Sequence, residues 1–464
     1  MMAAIGAHVA FLIDFPFDRW LLKGFPRVPC AFPEVTKHVH LRSSERPCMN
    51  ASDRLARRLS LTDAIFIGLG SMLGTGVFAA IAPAAGAASA GMLIGLLIAG
   101  LVALFNAMSS AQLARLYPVS GGTYVYSDKR LGEAWGWMSG WAFIVGKLAS
   151  CAAAALTFGN YIFPGQAEWF AALAVVTLTL LNHLGVEKTA AAVKALVLIV
   201  VLSLIAVCIM ALSGAPGPEG TISFSGPDSI YGVLQSAGIW FLAFAGYARI
   251  ATLGEEVKAP ERNIPRAMFL SLGMVLLIYA AVSISALSAV GAEALSLSDR
   301  PLAFTISEAG FGRWSWFVTL GASMATLGVM LSLMAGIDRT LFAMAADHRM
   351  PSYMAKVHPV HKVPHLAGVT VGVILIIIVL TVDVRSAIGF SAFTVLLYYA
   401  ITNLSAITLS RSERMLGRWS AFAGLLGCLV LSFTLPPGVV IAGGLVMLVG
   451  LALYLAQWRR ARSA

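Results

Sequence analysis

What most constrains this chain is a recurrence of apolar stretches, each near the roughly 20 residues that a helix needs to cross a bilayer. Twelve of them lie near 62–86, 90–114, 131–161, 168–185, 191–213, 229–254, 267–291, 313–345, 366–382, 386–410, 418–435 and 438–458. Lipid offers no hydrogen bonds, so a segment at that depth must satisfy its own backbone, and a helix does so. Composition points the same way. The chain is 59% hydrophobic and only 12% charged, about half the charged share of a soluble domain. The expected fold is an all-α polytopic membrane protein with twelve transmembrane helices. The last two are the least distinct, being separated only by Pro436-Pro437-Gly438.

The net charge of +10 does not imply nucleic acid, because the basic residues sit in short loops between apolar stretches and form no binding stripe. With the N-terminus inside, the cytoplasmic loops hold Arg115, Lys129, Arg130, Lys188, Lys258, Arg262, Arg266, Arg349 and Lys356, and the tail holds Arg459, Arg460 and Arg462. The opposite loops hold only Arg300, Arg313 and Arg385. This asymmetry predicts both termini on the cytoplasmic side of the cytoplasmic (plasma) membrane. The five cysteines show no framework spacing, and no disulfide or metal site follows. Residues 1–52 are broken by proline and charge and do not form a signal peptide. They are expected to be a disordered cytoplasmic tail, or Met49 is the true start.

Two of the stretches carry an interruption. In the first, Gly70-Ser71-Met72-Leu73-Gly74-Thr75-Gly76-Val77-Phe78 loosens the helix, and Pro83 follows. Irregular backbone at membrane depth is tolerated where it is buried in protein or lines a cavity. The competing reading is a close-packing face, which Gly70-xxx-Gly74 also fits. The sixth stretch has the second interruption, small residues around Gly246 in Trp240-Phe241-Leu242-Ala243-Phe244-Ala245-Gly246-Tyr247. Stretches one and six open the halves of a five-plus-five arrangement, and paired interruptions at matching positions point to a transporter's binding site.

Four motifs then carry a resemblance. The first stretch contains Gly74-Thr75-Gly76-Val77-Phe78, and the third is preceded by Pro118-Val119-Ser120-Gly121-Gly122-Thr123-Tyr124. After the sixth comes the run from Thr252 to Ala267, with Gly254-Glu255-Glu256 and Pro260-Glu261-Arg262-Asn263-Ile264-Pro265. After the eighth comes Asp338-Arg339-Thr340, then Ala345 to Pro351, His358-Pro359 and Pro364. Over roughly 52–458 the chain resembles the amino acid–polyamine–organocation (APC) superfamily of amino acid permeases. The resemblance implies a LeuT-type inverted repeat with discontinuous helices 1 and 6. Its halves would be 53–213 and 229–410, followed by two C-terminal helices and a short tail in 411–464. It also implies a secondary transporter of amino acids, and not an enzyme. Proton symport is the leading form, with an exchanger or a transporter-like sensor as alternatives.

An amino acid offers a carboxylate and an ammonium. Amides opening the second half of a broken helix suit the carboxylate, and by resemblance these belong to Ser71, Gly74, Thr75 and Gly76. The ammonium is assigned to carbonyls of Met72, Leu73, Phe244 and Ala245, beside Gly246. Phe241, Phe244 and Tyr247 are candidates for the side-chain pocket, or ordinary packing aromatics.

Lys147 lies in mid-stretch, where a lysine must face protein or water. It is a coupling candidate, or else a structural plug bonded to carbonyls. Some proton-coupled relatives carry a lysine in the fifth span, but Leu198-Ile199-Val200-Val201-Leu202 has no titratable group here. Sodium coupling would use hydroxyls such as Ser323, Thr326 and Ser332. No other cofactor is expected. With no carboxylate deep in a span, neutral or acidic substrates are favoured over cationic ones. Arg249 is expected to pair with Glu255 or Glu256, and Lys194 to snorkel. His358, His361 and His365 have helix-like ligand spacing, but Pro359 and Pro364 break any helix, and the segment is expected to be a solvated basic loop with no metal.

Overall fold

The computed structural model describes residues 59–117, 121–184, 190–214, 229–251, 253, 256–358 and 363–463. The tail 1–52, the Met49 start, Lys188, Glu255 and His361 lie outside them.

Nearly every described residue is helical. The helices are α1 (Leu61–Met72), α2 (Ile81–Ala88), α3 (Met92–Leu116), α4 (Thr123–Leu131), α5 (Glu133–Ile162), α6 (Ala167–His183), α7 (Ala190–Ser213), α8 (Ile230–Phe244) and α9 (Ala248–Ala251). They continue as α10 (Pro260–Val290), α11 (Ala292–Leu297), α12 (Pro301–Ile306), α13 (Ser315–Ala346), α14 (His365–Thr381), α15 (Val384–Ile407), α16 (Arg418–Phe433) and α17 (Pro437–Ser463). Eight helical segments are long and apolar enough to cross a membrane, and α6, α14 and α16 are shorter apolar helices. This is an integral membrane protein.

α5 lies between α13 and α15 and packs on both. Its alanine run Ala152–Ala155 is fully buried, and small side chains of this kind let helix backbones approach closely. The apolar windows of α5 and α15 are 83% buried, whereas that of α17 is 11% buried. The middle helices therefore build the interior, and α17 presents its leucines and valines outward, as a lipid-facing helix does.

Local chemistry fixes the entrance to α1. Ser60 caps it: its Oγ accepts the Asp63 amide at 3.2 Å, and its own amide donates to the Asp63 carboxylate at 2.8 Å. Asp63 also binds Lys194 of α7 at 2.6 Å. Lys194 is thus an ion-pair partner tying α7 to α1, not simply a snorkelling lysine. Just before α1, Leu59 forms an isolated parallel bridge with Val257. Its amide donates to Glu256 O at 3.0 Å, and its carbonyl accepts the Lys258 amide at 2.9 Å.

Candidate functional site

The first interruption is a true break. α1 ends at Leu73, whose φ of −75° and ψ of 74° are those of an inverse γ-turn. The Gly74 amide closes that turn on Met72 O at 2.8 Å. Thr75 returns to helical dihedrals, and Gly76–Ala80 wind as a wide π turn into α2. The amides of a helix's first turn have no partner inside the helix. Thr75 Oγ1, buried beside them, has no hydrogen-bond partner. These groups suit an anion, but they are covered: a methyl added at Gly74 would stand 2.5 Å from Val329 Cγ2 of α13.

The Met72 carbonyl is already occupied. It accepts from the Gly74 amide and also from the Tyr279 hydroxyl of α10, at 2.6 Å. A carbonyl has two lone pairs, so in this conformation none remains for a substrate ammonium. Ser71 Oγ bonds back to Ile67 O at 2.7 Å.

The second interruption is milder than its counterpart. α8 tightens into a 3-10 turn over Ala245–Tyr247 and resumes as α9, with Ala245 still right-handed helical at φ −61° and ψ −8°. The Tyr399 hydroxyl of α15 donates to Ala245 O at 3.1 Å. Gly246 presses against Ser71: a Cβ there would collide with the Ser71 carbonyl. Only glycine permits so close an approach, so the two interruptions meet backbone to backbone.

A cavity of about 450 Å³ reaches this junction. Ser71, Ala245 and Gly246 line it, together with Lys147, Ser332 and Val329. Gly122, Thr123, Glu256 and Arg339 belong to the same lining. Lys147 is only 7% exposed, and its ammonium sits 5.9 Å from the centre of the Phe143 ring. Arg249 and Glu256 both line the cavity. Gly121 and Gly122 have φ of +122° and +56°, a region that glycine alone enters freely. They turn the chain into α4, whose Thr123 bonds Thr402 of α15 at 2.7 Å.

Not every expected site residue lines that space. Met72, Leu73, Gly74, Thr75 and Gly76 lie buried behind the wall, as do Phe241, Phe244 and Tyr247. The three aromatics pack on two tyrosines: Phe241 and Tyr247 stand 5.6 and 5.2 Å from Tyr399, and Phe244 stands 5.5 Å from Tyr279. The hydroxyls of Ser323 and Thr326 bond back to Thr319 O and Ala322 O, as span hydroxyls commonly do.

Sequence reasoning missed three residues. Tyr279 and Tyr399 hold the carbonyls of the two interruptions, yet nothing local marks either tyrosine. Asp338 is the third: towards the C-terminal end of α13 it is 3% exposed and accepts from Asn182 Nδ2 at 2.5 Å. Its position inside an apolar stretch was the available signal.

Known proteins share this chain's pattern. The family model for the amino acid permeases matches residues 63–460. An uncharacterized transporter of Mycobacterium tuberculosis is 48% identical over 402 residues, covering 87% of this chain and 91% of that protein. A branched-chain amino acid permease of Bacillus subtilis is 28% identical, with 68% and 72% covered. The mitochondrial cationic amino acid transporter 3 of Arabidopsis thaliana is 28% identical, with 76% and 62% covered. The chain belongs to the amino acid permease family, within the amino acid–polyamine–organocation superfamily.

Proposed function

We propose that this protein is a secondary active transporter that moves amino acids across the cytoplasmic membrane by alternating access, as a proton-coupled symporter. The observation that carries the reading is one cavity lined by Ser71, by Ala245 and Gly246, and by Lys147. Interrupted helices that meet at the end of an aqueous cavity are how such transporters hold substrates and coupling ions. Counting Leu61–Leu116 as two spans and adding the three shorter apolar helices brings the eight candidates to twelve, in two inverted halves and a C-terminal pair. The cavity's lining includes Gly122 and Glu256, from loops that the positive-inside pattern assigns to the cytoplasm. This conformation is then inward-open, with Gly74 still covered by Val329 and Gly76 by Ala243.

Lys147 is the coupling group in this reading. A poorly solvated ammonium can release its proton, whereas a guanidinium such as Arg249 cannot. Lys147, Arg249 and Arg339 outnumber Glu256 on the cavity lining, which favours neutral or acidic substrates over cationic ones. An exchanger is the second reading, favoured by the absence of a titratable residue in Leu198–Leu202 of α7.

The test is uptake of a radiolabelled amino acid panel into proteoliposomes, with and without imposed proton and sodium gradients. If no amino acid is taken up or exchanged under any gradient, the transport reading fails. Lys147→Met is expected to abolish proton-driven uptake while counterflow exchange persists. Unchanged proton dependence in that variant reduces Lys147 to a structural role.

A further inference from the structure

We propose that the first turn of α4 is a carboxylate-binding subsite, a second position for the amino acid on the cytoplasmic side of Lys147. Its role as a resting place for substrate rests on the transport reading. α4 has nine residues, and Gly122 at its N-cap offers no side chain to the opening amides. The Val125 and Tyr126 amides fold back onto Gly122 O at 3.1 and 3.2 Å. The Thr123 amide reaches the Tyr398 hydroxyl over a long 3.4 Å. Such a turn presents N–H groups and the positive end of a helix dipole, which suit an anion. Gly122, Thr123, Tyr126 and Tyr398 all line the cavity.

A second observation is independent of the helix end. Tyr126 is 2% exposed, and its hydroxyl is buried with no hydrogen-bond partner among the described residues. An unpaired hydroxyl at such a depth is costly and calls for a partner. Positions 122 and 126 share a helix face, and a helical side chain leans back over the turn before it. Tyr126 therefore lies over the Gly122 cap. From the α15 side, a Cβ added at Gly122 would stand 3.4 Å from the Tyr398 hydroxyl oxygen. That oxygen accepts from the Thr123 amide, which leaves its own proton to donate. Two phenol donors thus flank one helix start, a donor set that suits a carboxylate. Arg249 and Arg339 share the lining and strengthen its pull on an anion.

The subsite stands apart from the coupling lysine. Ser139 Oγ of α5 lies 2.6 Å from Ser127 Oγ and 3.5 Å from Thr123 O, which sets the first turn of α4 beside Ser139. Lys147 is eight residues further along α5, about 12 Å at 1.5 Å per residue. A small carboxylate at α4 cannot touch it. In this conformation Val329 and Ala243 cover Gly74 and Gly76, whereas the start of α4 lines the open cavity. An amino acid leaving the interrupted helices for the cytoplasm meets it on the way.

The test reads the two phenols directly. The full chain, labelled with 3-fluorotyrosine and held in detergent at neutral pH and constant ionic strength, is titrated with propionate and, separately, with propylamine. The ¹⁹F resonances of Tyr126 and Tyr398 are identified by their loss in Tyr126→Phe and Tyr398→Phe. Both are expected to shift saturably with propionate and to ignore propylamine, while that of exposed Tyr231 stays still. In Tyr126→Phe the propionate midpoint read at Tyr398 should rise at least about tenfold, the loss of a hydrogen bond to a charged group. Absence of a saturable shift in the wild-type protein overturns the proposal, and that measurement does not depend on any variant folding. So does an unchanged midpoint in Tyr126→Phe. Saturable propionate binding by protein that takes up no amino acid under any gradient sinks the transport reading and leaves the carboxylate subsite standing.

Discussion

The two interrupted helices share a junction but are held differently. At the first, the chain leaves the helix altogether, and the Met72 carbonyl is filled by an amide and a tyrosine hydroxyl. At the second, the helix only tightens, and Ala245 O takes one longer bond from Tyr399. The first helix is thus the opened element and the second the surface it leans on. An unwound segment and a tightened turn ask different things of their neighbours.

The comparison can be broken most forcefully where the two elements touch. Gly246→Ala places a methyl against the Ser71 carbonyl, backbone atoms that cannot swing away. Overpacking of this kind costs about 1–3 kcal/mol, so uptake in proteoliposomes should fall by more than about tenfold in protein that still elutes as a single species. Normal uptake would mean that the two helices are not in contact during transport. Tyr279→Phe comes next. It removes the 2.6 Å bond to Met72 O and a 3.2 Å contact with Ala243 O. At about 1 kcal/mol per net hydrogen bond, a loss of roughly five- to tenfold in transport is expected. Tyr399→Phe removes a single 3.1 Å bond and should cost about threefold. If it costs more than Tyr279→Phe, the second interruption is the one under load and the ranking reverses.

A contact remote from both sets the baseline. Arg130, at 2.6 Å, holds the Glu413 carboxyl down at about 2 from its ordinary 4.5. A carboxylate lowered in this way contributes stability that is complete above its ordinary value and is lost as pH falls towards the lowered one. Thermal unfolding in detergent should therefore lose a small increment between about pH 4.5 and pH 2, and Glu413→Gln should not show it. The partly exposed pair is worth about 0–1 kcal/mol, and uptake at neutral pH should be unchanged in that variant.

Much of this was legible in the sequence because it is local. A helix in a bilayer needs about twenty apolar residues, and a helix occupies each of the stretches marked, including α16 and α17 with only Pro436-Pro437 near their join. The glycines of 70–76 likewise mark the first break. Small residues around Gly246 mark the second, where the glycine serves close approach to Ser71 more than unwinding. Nothing local disclosed what was long-range. Tyr279 meets Met72 across 207 residues, and Tyr399 meets Ala245 across 154. Those contacts depend on how helices cross, which apolar periodicity does not specify. Asp338 is the exception, a carboxylate visible in an apolar stretch whose buried partner, Asn182, lay out of reach.

The bridge between Leu59 and Val257 bears on how many moving parts this end of the molecule has. Its two hydrogen bonds splice the lead-in to the first interrupted helix onto the run-out of the second. A pull on either end is passed to the other before any side chain intervenes. The two interrupted helices are thereby joined at this end by main chain alone, a tie that no side-chain substitution removes.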